Sequence, residues 1–275
     1  MQIIKEIKQD ILDSDICLIP TMGALHEGHL SLIEEGKKLG LLIMVSIFVN
    51  EKQFNEEEDF NSYPRLIEDD IKLLQDLNID YLFIPENNYI YSENAFEIID
   101  SGILGKQYEG SSRPGHFDGV LTVVNRLFEL IKPKVAIFGK KDAQQLFLIK
   151  ELVFNKRYEI QIIEAKTIRE SSGLALSSRN LLLTDSAKEK AALLYTILKE
   201  VKKDYSYRRE LDAFEVFSSR YLNIVIDYLE ILDLETFSMP TEKTDEYIIL
   251  VAAIIEDVRL IDNIEFKLES EWKKL

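Results

Sequence analysis

Two of the three histidines in this 275-residue chain, His26 and His29, stand three residues apart in the stretch "PTMGALHEGHLSLI", Pro20 to Ile33. Gly23 precedes them and Gly28 lies between them. An imidazole donates a hydrogen bond when neutral and a charge-assisted one when protonated. A pair of them therefore suits charge that develops on a phosphate in a transition state. A glycine-containing loop that enters a helix adds backbone N–H groups aimed at the same anion, which makes the stretch a candidate mononucleotide site. The chain contains neither GxxxxGK nor GxGxxG, so the histidines would take over contacts that a P-loop lysine makes elsewhere. A single histidine at a strand end is more often a structural residue. Two of them with two glycines favour the functional reading.

Three further clusters could share that chemistry. In "FGKKDAQQ", Phe138 to Gln145, Lys141 could hold a phosphate as a point charge, and Asp142 could cap a helix or contact ribose or magnesium. Lys140 reads as a solvated charge. In "LALSSRN", Leu174 to Asn180, two hydroxyls and Arg179 follow Gly173 in a loop able to move over a nucleotide, although the same residues make an ordinary turn. The segment "GSSRPGHFDGV", Gly110 to Val120, holds the third histidine, His116, with Arg113; anion binding and plain turn chemistry both explain it. The amides Asn50, Gln53, Gln144 and Gln145 suit a polar substrate, because they fix hydroxyls and carboxylates without adding charge. Tyr63 and Arg65 could belong to that site or to its scaffold, and the run Glu56 to Asp59 reads as a solvated loop face.

Composition narrows the ligand. A formal net charge of -16 disfavours nucleic acid, whose phosphates need a basic surface, so positive charge for an anionic ligand must be local. One cysteine, Cys17, excludes an internal disulfide, and with three histidines the usual Cys/His zinc sites cannot be assembled; a metal would need oxygen ligands. No stretch approaches the roughly 18 consecutive apolar residues of a membrane span. The opening residues lack the basic head and small-residue cleavage site of a signal peptide, and a cytoplasmic location is expected.

The elements that must position these residues follow from hydrophobic periodicity. Strand-length apolar runs occur at Ile16 to Pro20, Leu42 to Val49, Tyr81 to Pro85, Val135 to Gly139 and Glu159 to Ile163. Helical periods lie between them at His29 to Lys38, Arg65 to Leu77, Phe117 to Ile131 and Asp142 to Phe154. Near-continuous apolar strands separated by amphipathic helices predict a doubly wound, Rossmann-like parallel α/β sheet, with ligands at the carboxyl ends of the strands. Each cluster except the Gly110 to Val120 loop follows one of these strands. After about Ser177 the pattern changes to helices at Asp185 to Lys203 and Leu211 to Tyr221, then strands at Asp227 to Leu234, Tyr247 to Ala253 and Val258 to Phe266. The expectation is a nucleotide-binding domain over residues 1–176 and a smaller C-terminal α+β domain over 177–275 that closes over the site. Neither an internal repeat nor a low-complexity segment is evident.

Together, "PTMGALHEGH", "SIFVNEKQF", "DFNSYPR", "RPGHFDGV", "FGKKDAQQ" and "SGLALSSRN", in this order and spacing, resemble the pantothenate synthetase (pantoate–β-alanine ligase) family. The resemblance spans essentially the whole chain and implies an HxGH nucleotidyltransferase fold, with Leu176 to Arg179 as counterpart of the KMSKS loop. It implies that ATP activates pantoate as pantoyl adenylate with loss of pyrophosphate, that β-alanine then displaces AMP, and that magnesium is used by a homodimer. Position by position, it assigns Met22, Gly23, Ala24, Leu25, His26, Glu27, Gly28 and His29 to ATP, with His29 as proton donor. Gly139, Lys140, Lys141 and Asp142 form a second ATP segment, in which Lys141 joins the two histidines as a catalytic residue. Ile168 would meet adenine through its backbone, and Leu176, Ser177, Ser178 and Arg179 complete the ATP site. Gln53 would touch pantoate and β-alanine and Gln145 would bind pantoate, with Asn50 beside them. Metal ligands are not assigned.

Three positions depart from the family pattern. Ile168 replaces a frequent valine, Leu176 a frequent methionine, and Glu51 the proline of FVNPxQF. Losing proline frees φ in the turn that carries Gln53, and an inward carboxylate would weaken pantoate binding; a solvent-facing Glu51 is expected. The residues alone leave two other readings: an adenylyltransferase or a ligase for a different acid and amine, and a nucleotide-binding protein without catalysis. Both histidines and Lys141 argue against the second.

Overall fold

The computed structural model describes residues 1–55, 57–92, 96–208 and 224–268. These divide into two compact units, Met1–Lys166 and Thr167–Leu275.

The first unit is built on six parallel strands: β1 (Gln2–Ile4), β2 (Ile16–Thr21), β3 (Leu42–Ile47), β4 (Tyr81–Phe83), β5 (Val135–Gly139) and β6 (Gln161–Ala165). Their order is β1-β4-β3-β2-β5-β6. The chain winds outward from β2 through β3 to β4, then returns to lay β5 on the other side of β2, where Cys17 pairs with Val135. That reversal between β2 and β5 is the switch point at which such sheets bind ligands.

Nine helices accompany the strands among the described residues: α1 (Gln9–Leu12), α2 (Glu27–Lys37), α3 (Glu57–Ser62), α4 (Ile67–Gln75), α5 (Asn87–Ile90), α6 (Glu109–Ser112), α7 (His116–Ile131), α8 (Ala143–Lys156) and, in the second unit, α9 (Asp185–Arg208). Side chains alternate across a strand, so each strand feeds two cores. Ile16, Leu18, Met44, Phe83, Ala136 and Phe138 pack with α7 and α8 on one face. Cys17, Ile19, Ile43, Val45, Leu82 and Ile137 pack with residues of α2 and α4 on the other. Burial on both faces is why these strands are apolar at nearly every position. It also pushes the Cys17 thiol up to about 11, leaving it protonated and unreactive.

Five short elements are absent from the periodicity reading: β1, α1, α3, α5 and α6. β1 is a three-residue strand beside β4, too short to register as an apolar run. The acidic run was expected to be a loop face, yet from Glu57 it begins α3; carboxylates in a first turn favour a helix.

The second unit begins at Thr167, earlier than the break expected after residue 176. The reason is local. Arg169 bridges to Ala175, and its guanidinium is fixed to Asp262 by bonds of 2.5 and 2.8 Å, to the Gly173 and Asn263 carbonyls, and over the Tyr195 ring at 3.9 Å. Those contacts bind the 167–176 segment to α9 and to the antiparallel sheet β7 (Val225–Asp233), β8 (Glu246–Ile255) and β9 (Val258–Lys267). Ala187, Ala191, Leu194, Ile197, Leu198 and Val201 of α9 pack on that sheet. The helix expected over Leu211 to Tyr221 lies outside the described residues. Among the described residues no helix is long and apolar enough to cross a membrane.

Asp262 is almost fully buried against Arg169, so removing the carboxylate strands a guanidinium charge. Asp262→Ala is expected to lower unfolding free energy by about 3 kcal/mol in urea titrations. The double variant Arg169→Met, Asp262→Leu should recover most of that loss; equal stability of Asp262→Ala and the parent would contradict this reading.

Candidate active site

The loop from β2 to α2 is held in a strained shape. Gly23 has φ +82, where a side chain is disfavoured, and a Cβ there would lie 3.0 Å from an Asp70 oxygen. Ala24 is also left-handed, at φ +49. What secures it is Asp70 of α4, which is 3 % exposed: Oδ2 accepts the Ala24 amide at 2.9 Å and Oδ1 the Leu25 amide at 2.7 Å. Burial raises the Asp70 pKa above the ordinary carboxylate value, even though the two amide bonds pull it down. Thr21 Oγ1 adds a third tie, accepting from the Gly23 amide and donating to the Ser46 carbonyl.

The three-residue spacing of the histidines is a reciprocal helix cap. His26 is the N-cap of α2; its Nδ1 accepts from the Gly28 amide at 3.1 Å, and His29 Nδ1 accepts from the His26 amide at 3.3 Å. Ser or Thr paired with Glu usually fills these roles. Because each Nδ1 receives an N–H, each neutral ring carries its proton on Nε2, the donor left for a ligand. The rings lie 4.1 Å apart between centroids. Burial, followed by the Lys141 charge, lowers the His26 pKa to about 4, against an opposing pull from Asp142. Burial, then His26 and Lys141, lowers His29 to about 3, again opposed by Asp142. Both rings are neutral at pH 7.

Those couplings define the site. His26 and His29 follow β2, Lys141 and Asp142 follow β5, and these neighbouring strands flank the switch point. Asp142 occupies the N-cap position of α8 but makes no side-chain cap bond; the capping reading is corrected, and its Oδ1 instead meets Lys141 Nζ at 3.2 Å. Gly139 ends β5, and Lys140, read as a solvated charge, pairs with Glu164 at 3.3 Å. Met22, Leu25 and Gly28 are partly buried in the first loop, whereas Glu27 is exposed.

Gln53 faces the first loop from the turn after β3. Its Nε2 donates to Met22 Sδ at 2.8 Å and its Oε1 accepts from Asn50 Nδ2 at 3.1 Å, leaving one donor and one lone pair. Asn50 was expected to touch substrate. It is completely buried, its NH2 donates to Gln53 and the Gly119 carbonyl, and its oxygen accepts from Tyr91 and the Lys52 amide. With all four bonds made, Asn50 holds Gln53 in place and has nothing left for a ligand. Gln144 is engaged by Glu109, Leu104 and Gln107, whereas Gln145, the next residue of α8, is half-buried.

Glu51 is exposed, as expected, at the first position of the 3-10 turn Glu51–Gln53. It lines a cleft of about 540 Å³ with Phe54, Phe60, Asn87 and Tyr91, a lining that includes neither Gln53 nor the histidines. Tyr63 and Arg65 pack onto Phe54 and Phe60, which supports the scaffold reading for both.

In the second unit, the Leu176 amide donates to the Ile168 carbonyl at 3.0 Å. Ser177 Oγ accepts from the Arg179 amide and caps the 3-10 turn Ser178–Leu182, with Ser178 buried. Sequence reasoning missed Asp70, which lies within an amphipathic helix 46 residues from Ala24 and carries no motif.

The histidine pKa values set a pH dependence. Below pH about 6.5 an unfolded chain protonates both rings, while the folded chain resists until about pH 4 for His26 and 3 for His29. Stability therefore falls as pH drops from about 6.5 toward 4. The double variant His26→Asn, His29→Asn is expected to flatten that decline in urea midpoints; an unchanged slope would refute the depressed values.

The family model for pantoate-beta-alanine ligase matches residues 1–265. Pantothenate synthetase of Vesicomyosocius okutanii is 43 % identical over 256 residues, covering 92 % of this chain and 90 % of that protein. The Fervidobacterium nodosum pantothenate synthetase is 43 % identical over 253 residues, covering 90 % of each. Among solved structures, the pantothenate synthetase of Thermus thermophilus superposes with a TM-score of 0.87 at 36 % identity, over 96 % of this chain and 99 % of that one. The Francisella tularensis pantoate-beta-alanine ligase, complexed with beta-gamma ATP and β-alanine, gives 0.81 at 37 % identity, over 96 % and 97 %. With matches of this extent in sequence and fold, the chain belongs to the pantoate–β-alanine ligase family.

Proposed function

We propose that this chain condenses pantoate with β-alanine at the expense of ATP, through pantoyl adenylate, in pantothenate biosynthesis. The observation that carries the residue assignments is that the His26–His29 cap and the Lys141–Asp142 pair directly follow the neighbouring strands β2 and β5.

In the first step a pantoate carboxylate oxygen bonds to the α-phosphorus of ATP and the bond to pyrophosphate breaks. Both reactants are anions. The Nε2–H donors of His26 and His29 and the Lys141 ammonium offset their repulsion and the charge that builds on the phosphates, in a partly buried setting where such donors act strongly. Phosphate charge beside the rings opposes the effect of burial and draws their pKa values upward. His29 is the proton donor, through Nε2, the nitrogen its capping bond does not use. Gln53 and Gln145 hold pantoate by neutral amides, so its carboxylate stays nucleophilic. In the second step the β-alanine nitrogen bonds to the acyl carbon, the carbon–oxygen bond to phosphate breaks, and AMP leaves.

Magnesium, when bound, would supply further neutralisation of phosphate charge. Asp142 would offer the oxygen donor this ion prefers. Family resemblance assigns Ile168, Leu176, Ser177, Ser178 and Arg179 to ATP as well, and supports a cytoplasmic homodimer.

Incubating the protein with ATP, magnesium and pantoate, with and without β-alanine, should yield pantothenate and AMP only in the full mixture; no turnover would refute the proposal. His29→Ala is expected to lower adenylate formation by about a hundredfold or more without loss of fold, and near-parental turnover would remove His29 from the mechanism. Glu51 sits where a turn tolerates proline, preceded by an extended Asn50 at φ -86, ψ 107. Glu51→Pro should therefore leave KM for pantoate within about twofold; a large improvement would show that the carboxylate acts in the acid pocket.

A further inference from the structure

The buried third histidine lies outside the chemistry described so far. His116 opens α7 and is 7 % exposed. Its Nδ1 lies 2.7 Å from the Gln53 carbonyl oxygen, and its Nε2 lies 3.0 Å from a guanidinium nitrogen of Arg113. A carbonyl can only accept and a guanidinium can only donate. Nδ1 must therefore carry the proton and Nε2 the lone pair, the opposite tautomer to His26 and His29. Both ring nitrogens are consumed by the protein, so this histidine does not reach substrate.

Arg113 is itself held by Glu109 at 3.6 Å, with both side chains largely buried, and the Glu109 amide is fixed by Gln144 of α8 at 3.1 Å. One turn along α7, Gly119 completes the grip. A Cβ there would lie 2.2 Å from the Lys52 carbonyl oxygen and 2.6 Å from the Gln53 nitrogen, so only glycine lets the helix press against this turn. The Gly119 carbonyl takes the Asn50 amide, and Asn50 holds Gln53 Oε1.

We infer that His116 is a positioning residue for acid binding: locked in one tautomer by Arg113, it fixes the Gln53 backbone, and so the direction in which the Gln53 amide meets pantoate. The inference rests on the proposed role of Gln53. It predicts a defect confined to one substrate, since the phosphate side is held separately through Asp70.

The test uses the chemical difference between two amides. The Asn nitrogen occupies the place of Nδ1 in histidine, and the Gln nitrogen that of Nε2. Steady-state kinetics of His116→Asn, His116→Gln and Gln53→Ala, each with pantoate and ATP varied separately, are read beside melting temperatures. His116→Gln is expected to raise KM for pantoate about tenfold, the effect of one lost buried hydrogen bond, and to leave KM for ATP within about twofold. His116→Asn, which retains the donor, should stay within about threefold of the parent for pantoate. Parental KM for pantoate in His116→Gln, with a raised value in Gln53→Ala, would overturn the inference alone. An unaffected Gln53→Ala would overturn the reading of Gln53 and this inference with it. Equal values in the Asn and Gln variants, or parallel rises for pantoate and ATP that follow a fall in melting temperature, would mark His116 as structural only. Should His116→Gln fail to fold, Arg113→Met frees the ring to change tautomer and is expected to raise KM for pantoate selectively; a parental value would overturn the inference.

Discussion

Asp70 lends both carboxylate oxygens to the amides of Ala24 and Leu25, and the shape of the loop between β2 and α2 depends on that grip. A left-handed alanine costs about 1–2 kcal/mol, so the Ala24 conformation persists only because its surroundings enforce it. Each amide bond to a buried carboxylate is worth about 1 kcal/mol or more, and leaving either amide unmet inside the protein would cost more again. The two bonds together outweigh the strain. They set the height and direction at which the chain enters α2, and the histidine cap is built on that entry.

The cap gives the imidazoles two functions at once. Nδ1 of each ring closes the N-terminus of α2, and Nε2–H remains for an anion. Burial and the nearby Lys141 keep the rings uncharged at neutral pH. A chain with net charge -16 thus gathers its two paired histidines and Lys141 just after the carboxyl ends of the neighbouring strands β2 and β5. The Gln53 turn is built differently: its side-chain amide is held by that of Asn50, and the start of α7 presses on it through Gly119.

The strands of the first unit were legible because a sheet covered on both faces is apolar at nearly every position, and the chemistry-bearing loops followed from the rule that ligands sit at strand ends. β1 was not legible, since three residues produce no period. The histidine pair stood out by residue type and spacing, but its role as a cap was not legible: which nitrogen accepts an amide depends on backbone geometry. Asn50 looked like a substrate amide because the filling of its four bonds is visible only in three dimensions. Asp70 looked like one more charge on an amphipathic helix, and only the fold brings it to Ala24. Asp142 looked like a cap and is instead drawn to Lys141.

The central claim is that this site presents neutral imidazole donors whose tautomers are set by the protein. With three histidines in the chain, nitrogen-15 NMR of the ligand-free protein at pH 7 reads every one of them. The account predicts Nε2–H tautomers for His26 and His29 and the Nδ1–H tautomer for His116. A protonated ring at position 26 or 29, or an Nδ1–H tautomer at either, would contradict it.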